Sequence, residues 1–231
     1  MPDGIALAIW ILGMGAGVCF VVTSLIRGSF LEYFFLNLYV ILSMSADLVR
    51  QYVLRAWGVR SVEYHYVYYY TDCLLTIALF VAVISLASRV FAELKLDRFV
   101  RILAVLLLLG TAGFSYGVVA QSTERLSTSF TSELSQNLYF VGLVLTYLLW
   151  GAVLKLQETR TRLVQMVLSL GLYFSAYAGS YALVNVASKY TVVQYLGPVL
   201  GCFLPISWSL TMMRYTEEAR LTPARLVAVP R

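Results

Sequence analysis

The sequence predicts an all-α integral membrane protein, a single bundle of seven transmembrane helices, and three observations carry that prediction. Hydrophobic residues make up 60% of the 231 and charged ones only 13%, against roughly 45–50% and about 25% in soluble domains. The apolar residues gather into seven runs, each near the roughly 20 residues with which an α-helix crosses a ~30 Å hydrocarbon core. The runs are continuous, unlike the ~10-residue alternating segments of a closed barrel. A continuous spanning segment must satisfy its own backbone groups, and a helix does so.

The first segment, 4–26, follows "MPDG", with no basic residue before Arg27. A cleaved signal peptide opens on a basic stretch, so this one reads as a retained span. The second, 31–50, ends in "SADLVRQY". There Asp47 and Arg50 lie three apart and can share a face, as a polar cluster or as a plain ion pair at a helix exit.

The third segment, 66–91, is entered through "SVEYHYVYYYTD". In a helix His65, Tyr68, Tyr69, Asp72 and Thr76 fall on one face. A carboxylate within a membrane helix usually faces the protein interior or a water-filled cavity. Asp72, His65, Tyr68 and Tyr69 are therefore candidate ligand-binding residues. The competing reading is an aromatic belt at headgroup level, with Asp72 near the surface.

The fourth segment, 99–120, carries Gly113 and Gly117. Between it and the fifth, 138–156, lies the polar connection "STERLSTSFTSELSQN", where Leu126, Phe130 and Leu134 recur every four residues. That pattern predicts a short amphipathic helix on the outer interface, or else a solvated Ser/Thr-rich loop. The sixth segment, 163–187, places Tyr173, Tyr177 and Tyr181 four apart beside Gly171, Ser175 and Gly179. Tyr173 reads as packing, whereas Tyr181 and Asn185 are pocket candidates.

The seventh segment, 192–213, contains Pro198 and Pro205, each of which removes an intrahelical hydrogen bond and favours a kink. With Gly197 and Gly201 they form a candidate hinge. The pairs Gly13/Gly17, Gly113/Gly117 and Gly197/Gly201 have the four-residue spacing that allows close helix approach. Residues 214–231 read as a short inner tail.

Orientation follows from the 17 Lys and Arg residues. With the N-terminus outside, twelve fall on the inner side and five (Arg50, Arg55, Arg60, Arg125 and Lys189) on the outer. The asymmetry predicts an outer N-terminus and an inner C-terminus. The expected home is a bacterial inner membrane or its equivalent.

Several chemistries lack their residues. One histidine cannot supply paired haem ligands across a bundle. His65, Asp72, Asp47 and Glu63 would make a zinc site only by coincidence. The last segment has no lysine for a retinal Schiff base, and no HExxH or glycine-rich phosphate loop occurs. Cys19, Cys73 and Cys202 lie within apolar segments as packing residues. A nucleic-acid partner has no soluble basic domain to hold it.

The polar residues in the outer half favour a receptor- or sensor-like module that binds a small ligand and acts through a separate protein partner. Two alternatives stand beside it: a non-catalytic subunit of a larger membrane complex, and a small-solute carrier. An enzyme is not indicated.

Overall fold

The computed structural model describes residues 4–91, 97–120, 126–155, 161–187 and 193–215. Among them are seven α-helices and no strand: α1 (Gly4–Ile26), α2 (Phe34–Trp57), α3 (Val62–Phe91), α4 (Asp97–Val119), α5 (Leu126–Lys155), α6 (Thr161–Ala187) and α7 (Val193–Arg214). Five of these, α1, α3, α4, α5 and α6, are long and apolar enough to cross a membrane. α2 stands apart because it carries Asn37, Asp47, Arg50, Gln51 and Arg55. In α7 the described apolar stretch is shorter and begins at Val199. The chain is a helical membrane protein in contact with the lipid bilayer.

The expectation of a separate interfacial helix is corrected. From Leu126 onward the polar connection is the first part of α5, while 122–125 lie outside the described residues. Phe130 and Leu134 pack in a cluster with Cys73 and Phe80 of α3 and Ala104 of α4. An apolar stripe that finds partner helices has no reason to lie on the interface.

The helices close into a ring in the order α1, α2, α3, α5, α6, α7, with α3 also touching α6; α4 lies outside the ring against α3 and α5. Closure is made by α1 and α7, which run in the same direction. Cys202 Sγ donates to the Ile9 carbonyl at 3.1 Å, and Ser209 Oγ to that of Ala16 at 2.7 Å. An advance of seven residues on both helices is the register of parallel, heptad-spaced packing. Gly13 makes the approach possible, since a Cβ there would meet Cys202 Sγ at 2.8 Å, while one at Gly17 would meet Met44 of α2. The glycine pair thus serves two neighbours.

The α1 exit is a Schellman turn. Gly28 has φ +65°, its N–H donates to the Leu25 carbonyl, and that of Ser29 reaches Ser24, satisfying carbonyls that a helix end leaves open. At the same end, Arg27 donates to the carbonyls of Met213 and Tyr215. Arg162, almost fully buried, donates to Tyr215 and to Ser29 Oγ. Cations belong at a helix C-terminus, where unpaired carbonyls and the macrodipole are negative. Arg89 pairs with Glu32 at 2.9 Å and lies 4.5 Å over the Tyr33 ring, which ties the end of α3 to the same region.

The core centres on Trp208 of α7. Its ring contacts Phe20 of α1 and Tyr39 of α2, and its Nε1 donates to Ser169 Oγ of α6 at 2.9 Å. A buried indole needs that acceptor. α7 stays helical through Pro198 and Pro205. Pro205 is buried and Gly201 is exposed, while the side-chain surroundings of Gly197 and Pro198 lie outside the described residues.

Candidate ligand site

The site begins with the turn between α2 and α3. Gly58, at φ +82°, ends α2 with its N–H on the Leu54 carbonyl, and Ser61 Oγ caps α3 by accepting from the Tyr64 N–H at 3.0 Å. This hairpin sets depth by counting. Asp47 stands ten residues before Trp57, and Asp72 ten residues after Val62. At 1.5 Å per residue both carboxylates lie about 15 Å along their helices from the turn.

Arg50 joins the two helices. Its Nε donates to Thr71 Oγ1 at 2.7 Å and an Nη to the Tyr68 carbonyl at 3.3 Å. The guanidinium lies 4.6 Å over the Tyr68 ring, a cation–π geometry, and reaches the Asp72 carboxylate at 4.0 Å. The ion pair of Arg50 is therefore with Asp72, across the hairpin. Asp47, three residues away on the same helix, is only an electrostatic neighbour of Arg50. It is half-buried.

Behind Asp72 lies a layer of hydroxyls. Ser135 of α5 is its neighbour, and Thr76 Oγ1 bonds the Asp72 carbonyl at 2.8 Å. Thr76 also engages Tyr139 of α5. The Tyr139 ring stacks on Tyr177 of α6 with centroids 5.0 Å apart and planes 8° from parallel; Tyr177 lies 4.6 Å from Tyr173. Tyr173 engages Tyr39 through its hydroxyl, and Tyr39 meets Trp208 edge-on. A continuous aromatic column thus leads from the Asp72 group to the centre of α7.

The predicted stripe on α3 divides. Asp72 and Tyr68 join Arg50, and Tyr69 is half-buried edge-on to Tyr68 at 5.8 Å. His65 does not join them. It is exposed, with Nδ1 2.7 Å from the Ser61 carbonyl, and serves the start of its own helix. Seven residues separate it from Asp72, two helical turns, which carries it out past the hairpin. The side chains of Tyr181 and Asn185 lie outside the described residues.

Sequence reasoning missed Ser135, Tyr139 and Tyr39. The signal for the first two was present: Thr131, Ser135 and Tyr139 recur every four residues and are all buried. Tyr39 had no such signal, because its importance comes from Tyr173 on a distant helix.

The arrangement offers carboxylates, hydroxyls and aromatic faces to anything that enters it. Among the described residues no group of three His, Cys, Asp or Glu is placed to hold a metal ion. No family model, curated protein or solved structure matches the chain.

Proposed function

We propose that this chain is a single seven-span receptor- or sensor-like domain, N-terminus outside and C-terminus inside, in a bacterial inner membrane or its equivalent. It binds a small ligand at the Asp72–Arg50 group and acts through a separate protein partner. One observation carries the reading: an ion pair set about 15 Å along the hairpin helices backs onto the aromatic column that ends at Trp208. A pair that served only to hold α2 against α3 needs no such connection. The column gives a ligand a physical route to α7, whose inner end is held by Arg27 and Arg162.

The orientation draws support from the cluster of Arg27, Arg89, Arg162 and Arg214 at the end where α1 and α7 finish. A second reading, as an assembly subunit, draws on α4. That helix lies outside the ring, Phe99, Leu106, Leu109 and Phe114 are exposed on it, and Gly110, Gly113 and Gly117 face open space.

Native mass spectrometry of the chain extracted gently from its own membrane separates the two. A reproducible small-molecule mass that disappears in Asp72→Asn, with expression intact, is the expected result. A stoichiometric protein partner with no such mass would favour the subunit reading.

A further inference from the structure

We propose that the groove between α1 and α7 seats one acyl chain of an anionic phospholipid, whose phosphate rests on Arg214 and Arg27 at the end where the two helices finish. This site is separate from the Asp72–Arg50 group and needs nothing from it.

The groove comes from the way two parallel helices meet. Gly13 brings α1 close against Cys202 of α7, and beside that line of contact the two cylinders part. There Ile9 and Leu12 of α1 and Val199, Phe203, Ile206 and Leu210 of α7 line a furrow of about 440 Å³. Leu12, Val199 and Leu210 are 58%, 50% and 45% exposed, so the furrow opens outward. Along α7 it runs from Val199 to Leu210, about 16 Å at 1.5 Å per residue. Spread over that length, its volume gives a mean section of about 27 Å², a third of that of a 10 Å-wide helix. A single hydrocarbon chain enters such a slot and a helix of another chain does not. An apolar slot left unfilled forfeits the dispersion contacts of its lining, so in a bilayer hydrocarbon fills it.

Charge decides which lipid supplies the chain. Lipid tails are as apolar as the lining and give no selectivity by themselves. Val199, Phe203, Ile206 and Leu210 follow at steps of four, three and four, and the next step of four is Arg214. Arg214 therefore continues the face that lines the furrow, and it is exposed. Arg27, exposed as well, donates to the carbonyls of Met213 and Tyr215, the residues on either side of Arg214. Neutral carbonyls orient that guanidinium without cancelling its charge, and three of its five N–H groups remain. Among the described residues neither arginine has a carboxylate partner, and Glu32, in the loop after α1, is taken by Arg89 at 2.9 Å. Two guanidinium forks at one helix end match the oxygens of a phosphate. From Arg214 the furrow begins about 6 Å along the axis, at Leu210, and passes the ~15 Å depth of one leaflet near Phe203. A chain hanging from a phosphate here spends most of that depth in the furrow.

The test uses the purified full chain in phosphatidylcholine nanodiscs that contain phosphatidylglycerol with a diazirine midway along one acyl chain. After irradiation the labelled residues are mapped by peptide mass spectrometry, and phosphatidylcholine with the same diazirine is the control. The expected label from phosphatidylglycerol concentrates on residues 199–210 and 9–12 and saturates at one lipid per chain. From phosphatidylcholine it should spread over the exposed faces of all the helices.

Arg214→Gln should lower the preference for phosphatidylglycerol about fivefold, the effect of one basic residue near anionic headgroups. Ser207→Phe fills the furrow and should drive the label out of it. Equal labelling of the furrow by the two lipids would overturn the proposal, as would a preference unchanged in Arg214→Gln. So would a furrow that takes no label while the chain crosslinks to a second copy there. Should Ser207→Phe fail to fold, the contrast between the two lipids and its response to Arg214→Gln decide it. Asp72→Asn should leave the labelling as it is; loss of label in that variant would overturn a lipid site separate from the hairpin group.

Discussion

Gly171 and Gly142 show how tightly single residues set the α5–α6 contact. A Cβ at Gly171 would clash with the Trp150 ring, and one at Gly142 would stand 2.5 Å from that of Phe174. Each helix thus seats an aromatic knob in a glycine notch of the other, and Trp150 Nε1 locks its own by donating to the Val167 carbonyl at 2.9 Å. Gly171→Ala and Gly142→Ala should each cost about 1–3 kcal/mol by overpacking. Gly113→Ala and Gly201→Ala, which meet nothing within 4 Å, should be close to neutral. Thermal unfolding of the four variants in one detergent checks the contrast. The sequence shows all of these glycines alike as small residues in apolar helices. Which of them is a notch depends on the aromatic ring opposite, and that ring comes from another helix.

Among the elements, α7 is the one held from outside itself. The carbonyls of Met213 in its last turn and of Tyr215 just beyond it are taken by Arg27 from the end of α1 and Arg162 from the start of α6. Arg162→Gln keeps a donor but loses the charge and the fork that reaches Ser29 and Tyr215 together. The expected effect is local: a loss of about 1.5–3 kcal/mol at this helix end, seen as faster amide exchange over the last turn of α7 and little change in α3. Uniformly faster exchange in all helices would show instead that the clamp holds the whole bundle. In the sequence Arg27 and Arg162 were counted only as inner-side charges. Their use as caps was not legible, because the carbonyls they serve lie 186–188 and 53 residues away.

For the whole molecule, the distribution of arginines underlies the proposed sidedness, with the N-terminus outside and the C-terminus inside. Cysteines placed singly at Arg60 and at Arg214, in a chain with Cys19, Cys73 and Cys202 replaced by alanine, should react differently with a membrane-impermeant thiol reagent added to intact cells. Arg60→Cys should label and Arg214→Cys should label only after permeabilisation; the reverse pattern would invert the orientation. Arg50 shows the weakness of a simple count. Its position counts it with the outer loops, but in the fold it turns back onto Asp72 and Tyr68 and belongs to a partly buried polar group.

The sequence by itself determined that the chain is helical, that most of its helices are apolar enough to meet a bilayer, and roughly where they lie along it, though not that α2 runs on to Trp57 or that α5 begins at Leu126. Those properties follow from hydrophobic length and backbone self-satisfaction, which act within one segment. It also left Asp72 with two readings, an interior-facing carboxylate or a near-surface residue of an aromatic belt. Only the tertiary structure decided that the partner is Arg50 rather than a member of the same stripe, and that His65 faces out. It alone assembled Ser135, Tyr139, Tyr177, Tyr173 and Tyr39 from three helices behind the site. The reason is physical: in a bundle each helix presents several faces, and which face turns inward is set by the neighbours it packs against. The order of helices around the ring, with α4 left outside, is a property of the assembled bundle and is written in no single segment.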